Sequence, residues 1–504
     1  MLSINNLTIK DCIFNNELIN KLNMSLNEGD KIAIIGSEGT GKSTLLKLIA
    51  GKNLNYISYF GKIFTNGKVA YSEQNISYIW NKKNVYDFLF SEVKNRVDHL
   101  AIEARKQLQS FDLDYNKVIK RKINTFSGGE KVKLSLVKVL MEDPDFLLLD
   151  EPTNDLDFDT IQFIESFLKS TSIPLLFISH DQRLLENVAN GIIHLQHIKK
   201  QTLAKTFFYR GSYSDYKNKY FRLYNSNLQI ARKQRANYKT KLEKFRKIYS
   251  KVEHQQNQAV RNPSLARLLK KKMHSLKSQE KRFEKEKETW IDIPEKEEPM
   301  NIFFSHNEDL NPNKRLIEIN IDEFKLPNNE VIKNLYLNLI GDDKVVIYGK
   351  NGIGKTTFIK NIIKILDKQK ISYGYIPQNY MDILNPNSSV IDFLIENQKK
   401  YPEFRLKQIL GQLGFKRFEM EELLMNISEG QKLKILLLLI VAKETEILIL
   451  DEPTRNISPI NQDEIYDLFL NYKGSILAIT HDRVFIETVF DEIYEFTENG
   501  LILK

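Results

Sequence analysis

The sequence predicts an α/β fold used twice, as two tandem α/β domains joined by a long α-helical hairpin. Three observations carry that prediction. Glycine-rich segments, GSEGTGKST from Gly36 and GKNGIGKTT from Gly349, are followed in one order by YSEQN and YIPQN, FSGGEK and ISEGQK, LLLDEPTN and LILDEPTR, and ISHD and ITHD. From the serine of the third pair onward the spacing is constant, because Ser127, Asp150 and His180 match Ser428, Asp451 and His481 at an offset of 301. Between the copies, Ser212 to Trp290 holds no glycine and one proline, Pro263, and is rich in strong helix formers.

Within each copy, short Val/Ile/Leu runs read as strands buried on both faces, hence parallel. KIAII from Lys31 runs into the first glycine loop and TLLKLIA from Thr44 follows it as a helix; FLLLD, PLLFIS and SILAIT are further strands. In the insert, Asn262-Pro263 breaks the helix, so two antiparallel helices result. At about 1.5 Å per residue the arm from Tyr213 to Val260 extends on the order of 70 Å. The expected bounds are residues 1–200 for the first domain, 201–300 for the linker with its tip near 256–265, and 301–504 for the second.

Composition narrows the class. The 504 residues carry a net charge of +9, yet Gln201 to Trp290 alone carries +17, from 24 Lys and Arg against 7 Asp and Glu, and the remainder sums to −8. One basic segment implies a polyanionic partner, nucleic acid or a phospholipid surface. A plain coiled-coil spacer normally mixes both charge signs, whereas an excess of 24 basic over 7 acidic residues is one-sided. The single cysteine, Cys12, excludes an intramolecular disulfide and a Cys-rich metal site, and fits a cytoplasmic setting. The apolar run from Ile435 to Ala442 is far short of the roughly 20 residues that span a bilayer, and the N-terminal segment lacks a secretory layout.

Gly36, Gly41, Lys42 and Ser43 match G-x-x-x-x-G-K-[ST] between a strand and a helix, as do Gly349, Gly354, Lys355 and Thr356. Loop N–H groups, contributed with Ser37, Glu38, Gly39, Thr40 and Thr44 in one copy and Lys350, Asn351, Gly352, Ile353 and Thr357 in the other, can close around phosphate oxygens. The lysines reach β/γ-phosphates, and Ser43 and Thr356 offer hydroxyls to magnesium. Two adjacent carboxylates end an apolar strand in each copy. Asp150 and Asp451 can hold magnesium, while Glu151 and Glu452 can orient or deprotonate the attacking water. His180 and His481 can hydrogen-bond a γ-phosphate, and Gln74 and Gln378 can place an amide oxygen on magnesium or water.

Walker A, Gln loop, SGGE-type signature, Walker B with its following Glu, and His loop, twice over and in this order, resemble the ATP-binding cassette (ABC) ATPases across about 400 of the 504 residues. The resemblance implies two tandem ABC-type P-loop ATPase domains with ATP and Mg2+ as cofactors. Each ATP is expected between one Walker A and the other domain's signature, here Ser127, Gly128, Gly129 and Glu130, or Ser428, Gly430 and Gln431. Such a sandwich closes within one chain, so a monomer suffices. Phe14 and Phe324 stand where the family places an adenine-stacking aromatic.

Tandem domains, a long helical linker and no membrane segment are similar to the ABC-F group. That implies a ribosome partner, with the linker entering from the exit site towards the peptidyl-transferase centre and touching large-subunit rRNA and P-site tRNA. Gln256, Asn257, Gln258, Arg261 and Asn262 are the expected tip contacts. Gln74 lies 53 residues before Ser127 and Gln378 lies 50 before Ser428, and 23 residues follow His481, a compact layout that resembles the antibiotic-resistance members of Gram-positive bacteria. The implied activity is ATP-dependent displacement of lincosamides, pleuromutilins and streptogramin A. The alternatives are an ABC-F translation factor that relieves stalled ribosomes without drug protection, and the cytosolic ATPase pair of an exporter.

The copies differ in two places. Glu429 replaces the first signature glycine and should repel a γ-phosphate unless it turns away, and Arg455-Asn456-Ile457-Ser458 replaces Asn154-Asp155-Leu156-Asp157. The two sites are therefore expected to be unequal, with slower turnover where Ser428 meets the first Walker A.

Overall fold

The computed structural model describes residues 2–13, 16–74, 76–91, 97–198, 203–258, 263–294, 300, 302, 304, 314–327 and 330–504. They form two compact units, one of Met1–Tyr213 with Glu297–Lys504 and one of Ser214–Lys296.

In the first unit each sequence repeat builds one α/β module around a six-stranded sheet. The first sheet runs Val69–Ser72, Phe146–Asp150, Leu175–Ile178, Lys31–Ile35, Gly191–Ile198 and Leu203–Arg210, with only the last pair antiparallel. The second repeats that order as Tyr373–Ile376, Ile447–Asp451, Ser475–Ile479, Lys344–Tyr348, Glu492–Thr497 and Gly500–Leu503. Phe146–Asp150 and Ile447–Asp451 are buried at every position, which is why their sequence is a continuous apolar run instead of an alternating one. Parallel strands deliver their C-terminal ends to one edge. Each sheet brings its strand-end carboxylate to its own glycine loop there, Asp150 beside Ser43 in the first and Asp451 beside Thr356 in the second.

A three-stranded antiparallel sheet, Glu17–Leu26, Leu2–Asp11 and Ile57–Thr65, covers the first module. Its inward residues Leu2, Ile4, Leu7 and Ile9 share a core with Ile32, Ile34 and Leu45. Arg315–Lys325 pairs with Val331–Ile340 at the corresponding place in the second module. Phe324 faces this second core. It is 6% exposed and packs T-shaped against Phe358 at 5.8 Å, within the core and not on the surface. Phe14 lies outside the described residues.

The boundary expected at residue 200 also moves. Leu203–Arg210 pairs with Gly191–Ile198 from Ile198↔Leu203 to Gly191↔Arg210 and so belongs to the first module, which runs to Tyr213. Arg210 fixes the end of the strand by forking onto Asp30, with Nη1 donating to Oδ1 at 2.8 Å and Nη2 to Oδ2 at 3.1 Å.

The two modules dock on each other through polar contacts. Arg483 of the second module reaches Glu165 at 2.6 Å and Asp181 at 3.1 Å in the first, with side chains 11%, 15% and 20% exposed. Arg183 pairs in return with Glu487. Removing one member of a shielded ion network leaves the others desolvated without compensation. Arg483→Ala is therefore expected to cost about 2–4 kcal/mol in the module interface, seen as a lowered calorimetric transition; an unchanged transition would show that the ion network is idle.

The second unit is a helical hairpin of Tyr213–Gln258 and Pro263–Glu288. Phe245, Val252, Leu269 and Leu276 are its buried seam, with Tyr249, Met273 and Phe283 packed against it. Tyr238 meets Trp290 at 5.0 Å and Phe245 meets Phe283 at 5.8 Å. Seven residues forward on the first helix thus match seven back along the returning chain, an antiparallel heptad spacing that runs just past the end of the second helix. Lys241 pairs with Glu286 at 2.7 Å. The narrow seam leaves Lys270, Lys271 and Lys272 exposed. No described helix is long and apolar enough to cross a membrane.

Candidate functional site

Each glycine loop turns from a strand into a helix at a residue that only glycine adopts easily. Gly41 and Gly354 precede the helices Lys42–Ile49 and Lys355–Gln369 with φ of 91° and 108°, in the left-handed region. A side chain at Gly354 would also meet Leu326 Cδ2 at 2.4 Å. The turn draws each lysine back over its loop. Lys42 Nζ donates to Gly36 O at 2.8 Å and Ser37 O at 3.0 Å, and Lys355 Nζ to Lys350 O at 3.0 Å. Both lysines are 8% exposed. Burial pushes the Lys355 ammonium down, against the pull of Glu452, Asp157 and Asp451. A sheltered ammonium at a helix N-terminus is a seat for an anion.

Beside each loop a hydroxyl meets the strand-end carboxylate. Ser43 Oγ donates to Asp150 Oδ1 at 3.1 Å, and Thr356 Oγ1 donates to Asp451 Oδ2 at 3.0 Å. No group of three or more His, Cys, Asp or Glu able to hold a metal occurs among the described residues. A hydroxyl and one carboxylate suit Mg2+, which keeps waters and takes phosphate oxygens. These residues fit a magnesium nucleoside triphosphate. Sequence reasoning missed Tyr71, whose hydroxyl donates to Asp150 Oδ2 at 3.1 Å and so fixes the second carboxylate oxygen. Its counterpart Tyr375 has a buried hydroxyl without a hydrogen-bond partner among the described residues. The signal was a tyrosine three residues before each glutamine, at Tyr71 and Tyr375.

Glu151 and Glu452 both adopt positive φ, 50° and 53°, a strain of about 1–3 kcal/mol kept at the same point in both modules. Their surroundings differ. Glu151 accepts from Gln74 Nε2 at 3.1 Å and faces His180 Nε2 at 3.4 Å. Burial raises it, but the hydrogen bond and charge of His180, with Lys42 and Arg455, outweigh burial and hold its carboxyl below the usual range. Glu452 accepts from Thr480 Oγ1 at 3.2 Å and the His481 N–H at 3.4 Å. Burial, then the charge of Asp451, pushes it up to about 8. His481 faces Lys355 Nζ through Nε2 at 3.3 Å, and burial, then that ammonium, pushes it down to about 4. One histidine is poised against its carboxylate and the other against its lysine.

The modules meet across these groups. His180 Nδ1 contacts Ile457 O at 2.9 Å, and Gln462 Nε2 donates to His180 O at 2.9 Å. Asn351 Nδ2 donates to Asp155 O at 2.6 Å, and Arg455 pairs with Asp155 at 2.5 Å. A cavity of about 640 Å³ lies between the modules, lined by Lys355, Thr356, Gln378, Asp451, Glu452 and His481 from one, and by Glu151, Asp155 and His180 from the other.

The signatures begin as capped helices. Ser127 and Ser428 each close a capping box, with Glu130 and Gln431 reaching back. Gly129 packs where a side chain would meet Thr160 Oγ1 at 2.8 Å. Glu429 turns away as its charge requires, its carboxylate held by Lys432 at 2.6 Å, and its backbone N–H donates to Glu38 Oε2 of the first glycine loop at 3.0 Å. The second signature thus touches the first Walker A. Ser127 to Glu130 are not among the described residues that line the cavity around Lys355. At the hairpin, Asn257 and Gln258 are exposed, Gln256 is half-buried, and Gln258 Nε2 contacts His254 Nε2 at 3.0 Å. Arg261 and Asn262 lie outside the described residues.

The family described as ABC transporter matches residues 19–154 and 332–455. ATP-binding protein Uup of Buchnera aphidicola subsp. Acyrthosiphon pisum (strain APS) is 30% identical over 517 residues, covering 97% of this chain and 79% of that one. Ribosome protection protein VmlR of Bacillus subtilis (strain 168) is 28% identical, covering 95% and 84%. ABC transporter F family member 5 of Arabidopsis thaliana is 25% identical, covering 95% and 72%. The crystal structure of the complex of archaeal ribosomal stalk protein aP1 and archaeal ribosome recycling factor aABCE1 aligns over 98% of this chain and 87% of that one at a TM-score of 0.59 and 16% identity, a likeness of fold alone.

Proposed function

The chain belongs to the ABC-F family of ATP-binding proteins, and from that premise we propose that it is an ATPase that binds the ribosome and protects it from drugs at the peptidyl-transferase centre. The observation that carries the reading is a helical hairpin within a segment of charge +17, inserted between two ATP-binding modules that dock on each other. Ribosomal RNA and tRNA are polyanions that such a hairpin can grip through phosphates, and the relative named a ribosome protection protein aligns over 95% of the chain.

Lys42 and Lys355 seat the triphosphate. Ser43 with Asp150, and Thr356 with Asp451, would hold Mg2+, which when bound neutralises phosphate charge during transfer to water. Glu151 and Glu452 take the proton of the attacking water, Gln74 and His180 orient Glu151, and the backbone of His481 and the hydroxyl of Thr480 orient Glu452. ATP closes the modules, the hairpin is held in the exit site, and hydrolysis releases it. The ligands displaced are lincosamides, pleuromutilins and streptogramin A. The chain works as a cytoplasmic monomer, because both halves of each ATP sandwich lie in one polypeptide.

A susceptibility panel on an expressing and a deleted strain tests the drug assignment. Raised inhibitory concentrations for these three classes are expected on expression. Unchanged susceptibility with retained ribosome binding would replace drug protection by relief of stalled ribosomes, and absence of ribosome binding would favour the exporter reading.

A further inference from the structure

We propose that Glu38 occupies the γ-phosphate seat of the first ATP site, an anion carried by the glycine loop itself that ATP must displace from the second signature helix. The proposal rests on the reading that ATP binds at Lys42. It comes from one hydrogen bond and from the different bond made at the corresponding loop position of the other module.

The signature helix Glu429–Lys443 has 15 residues and begins at a capping box. Ser428 Oγ accepts the Gln431 N–H at 3.3 Å, and Gln431 Oε1 accepts the Ser428 N–H at 3.1 Å. The Glu429 N–H stands between these closed donors and is given to Glu38 Oε2 at 3.0 Å. Glu429 does not fill the seat with its own carboxylate, which lies against Lys432 at 2.6 Å. A helix N-terminus favours negative charge, and the carboxylate that takes it comes from the loop that seats the nucleotide.

Glu38 is the third residue of the first glycine loop, and Asn351 is the third residue of the second. Asn351 is neutral and donates its amide to Asp155 O at 2.6 Å. An amide that donates to a carbonyl places no negative charge on a signature helix. Loop position three therefore separates a site in which ATP competes with a resident carboxylate from a site in which it does not. The competition is with the γ-phosphate, because the glycine loop that carries Glu38 seats the phosphates, and the terminal one is the anion nearest a facing helix N-terminus.

The experiment uses the full chain with Lys355→Ala, which leaves the first site as the nucleotide seat, and titrates fluorescent ATP and ADP analogues with Mg2+. Adding Glu38→Asn, the residue of the other loop, or Glu38→Gln is expected to tighten ATP binding by on the order of 2- to 30-fold, the range of a charge at a helix terminus. ADP affinity should stay the same, since ADP has no γ-phosphate to compete. A parallel change for ATP and ADP, or weaker ATP binding in both variants, would overturn the proposal. A Lys355→Ala parent that binds neither nucleotide would overturn the ATP-binding reading of the first site, and the proposal with it.

Discussion

Glu151→Gln with Glu452→Gln lowers steady-state ATP hydrolysis by about 10²- to 10⁴-fold, the usual contribution of a positioned general base, while ATP binding persists. Glutamine preserves the size of each side chain and its acceptor oxygen, so the hydrogen bonds from Gln74 and from Thr480 can survive. Only the proton acceptor is removed. The single variants should fall by unequal amounts, with the greater fall from Glu452→Gln. The first site is burdened by Glu38 on the second signature and by a histidine held between Glu151 and Ile457 O, whereas the matching loop position of the second site is the neutral Asn351, which donates to Asp155 O. Equal falls in the two single variants would contradict the inequality of the sites.

Replacing Lys270, Lys271 and Lys272 by glutamine weakens ribosome binding and flattens its salt dependence by about one unit of log–log slope for each phosphate no longer neutralised. The three lysines are exposed on the helix Pro263–Glu288, and the seam residues Leu269 and Leu276 are buried. The hairpin should therefore fold as before, with an unchanged helical circular-dichroism signal, so that weaker binding reads as charge. Binding that is equally tight and equally salt-sensitive in the triple variant would remove these lysines from the interface.

Much of this was legible in the sequence because each motif is contiguous and its spacing repeats. The glycine loops, the strand-end carboxylates and the helical insert need only their neighbours in the chain. What escaped depends on partners far away or on register. Glu38 and Glu429 are 391 residues apart and Tyr71 and Asp150 are 79 apart, and neither pair leaves a local pattern. Glu429 was legible as an electrostatic conflict, but its resolution by Lys432, one helical turn on, required the side-chain geometry. Phe324 stands at a plausible distance from its loop, yet strand register aims it into the core against Phe358. The strand Leu203–Arg210 falls in the segment expected as linker because it adjoins a basic helix and is an antiparallel edge, where only one face need be apolar.

The central claim is that ATP held by the two modules keeps the basic hairpin on the ribosome. Co-sedimentation of the Glu151→Gln, Glu452→Gln double variant with ribosomes tests it most directly. The account predicts a stable complex with ATP and Mg2+ that is weaker with ADP and dissociates as salt is raised. A double variant that binds ATP yet leaves ribosomes unbound, or binds them equally well without nucleotide, would contradict it.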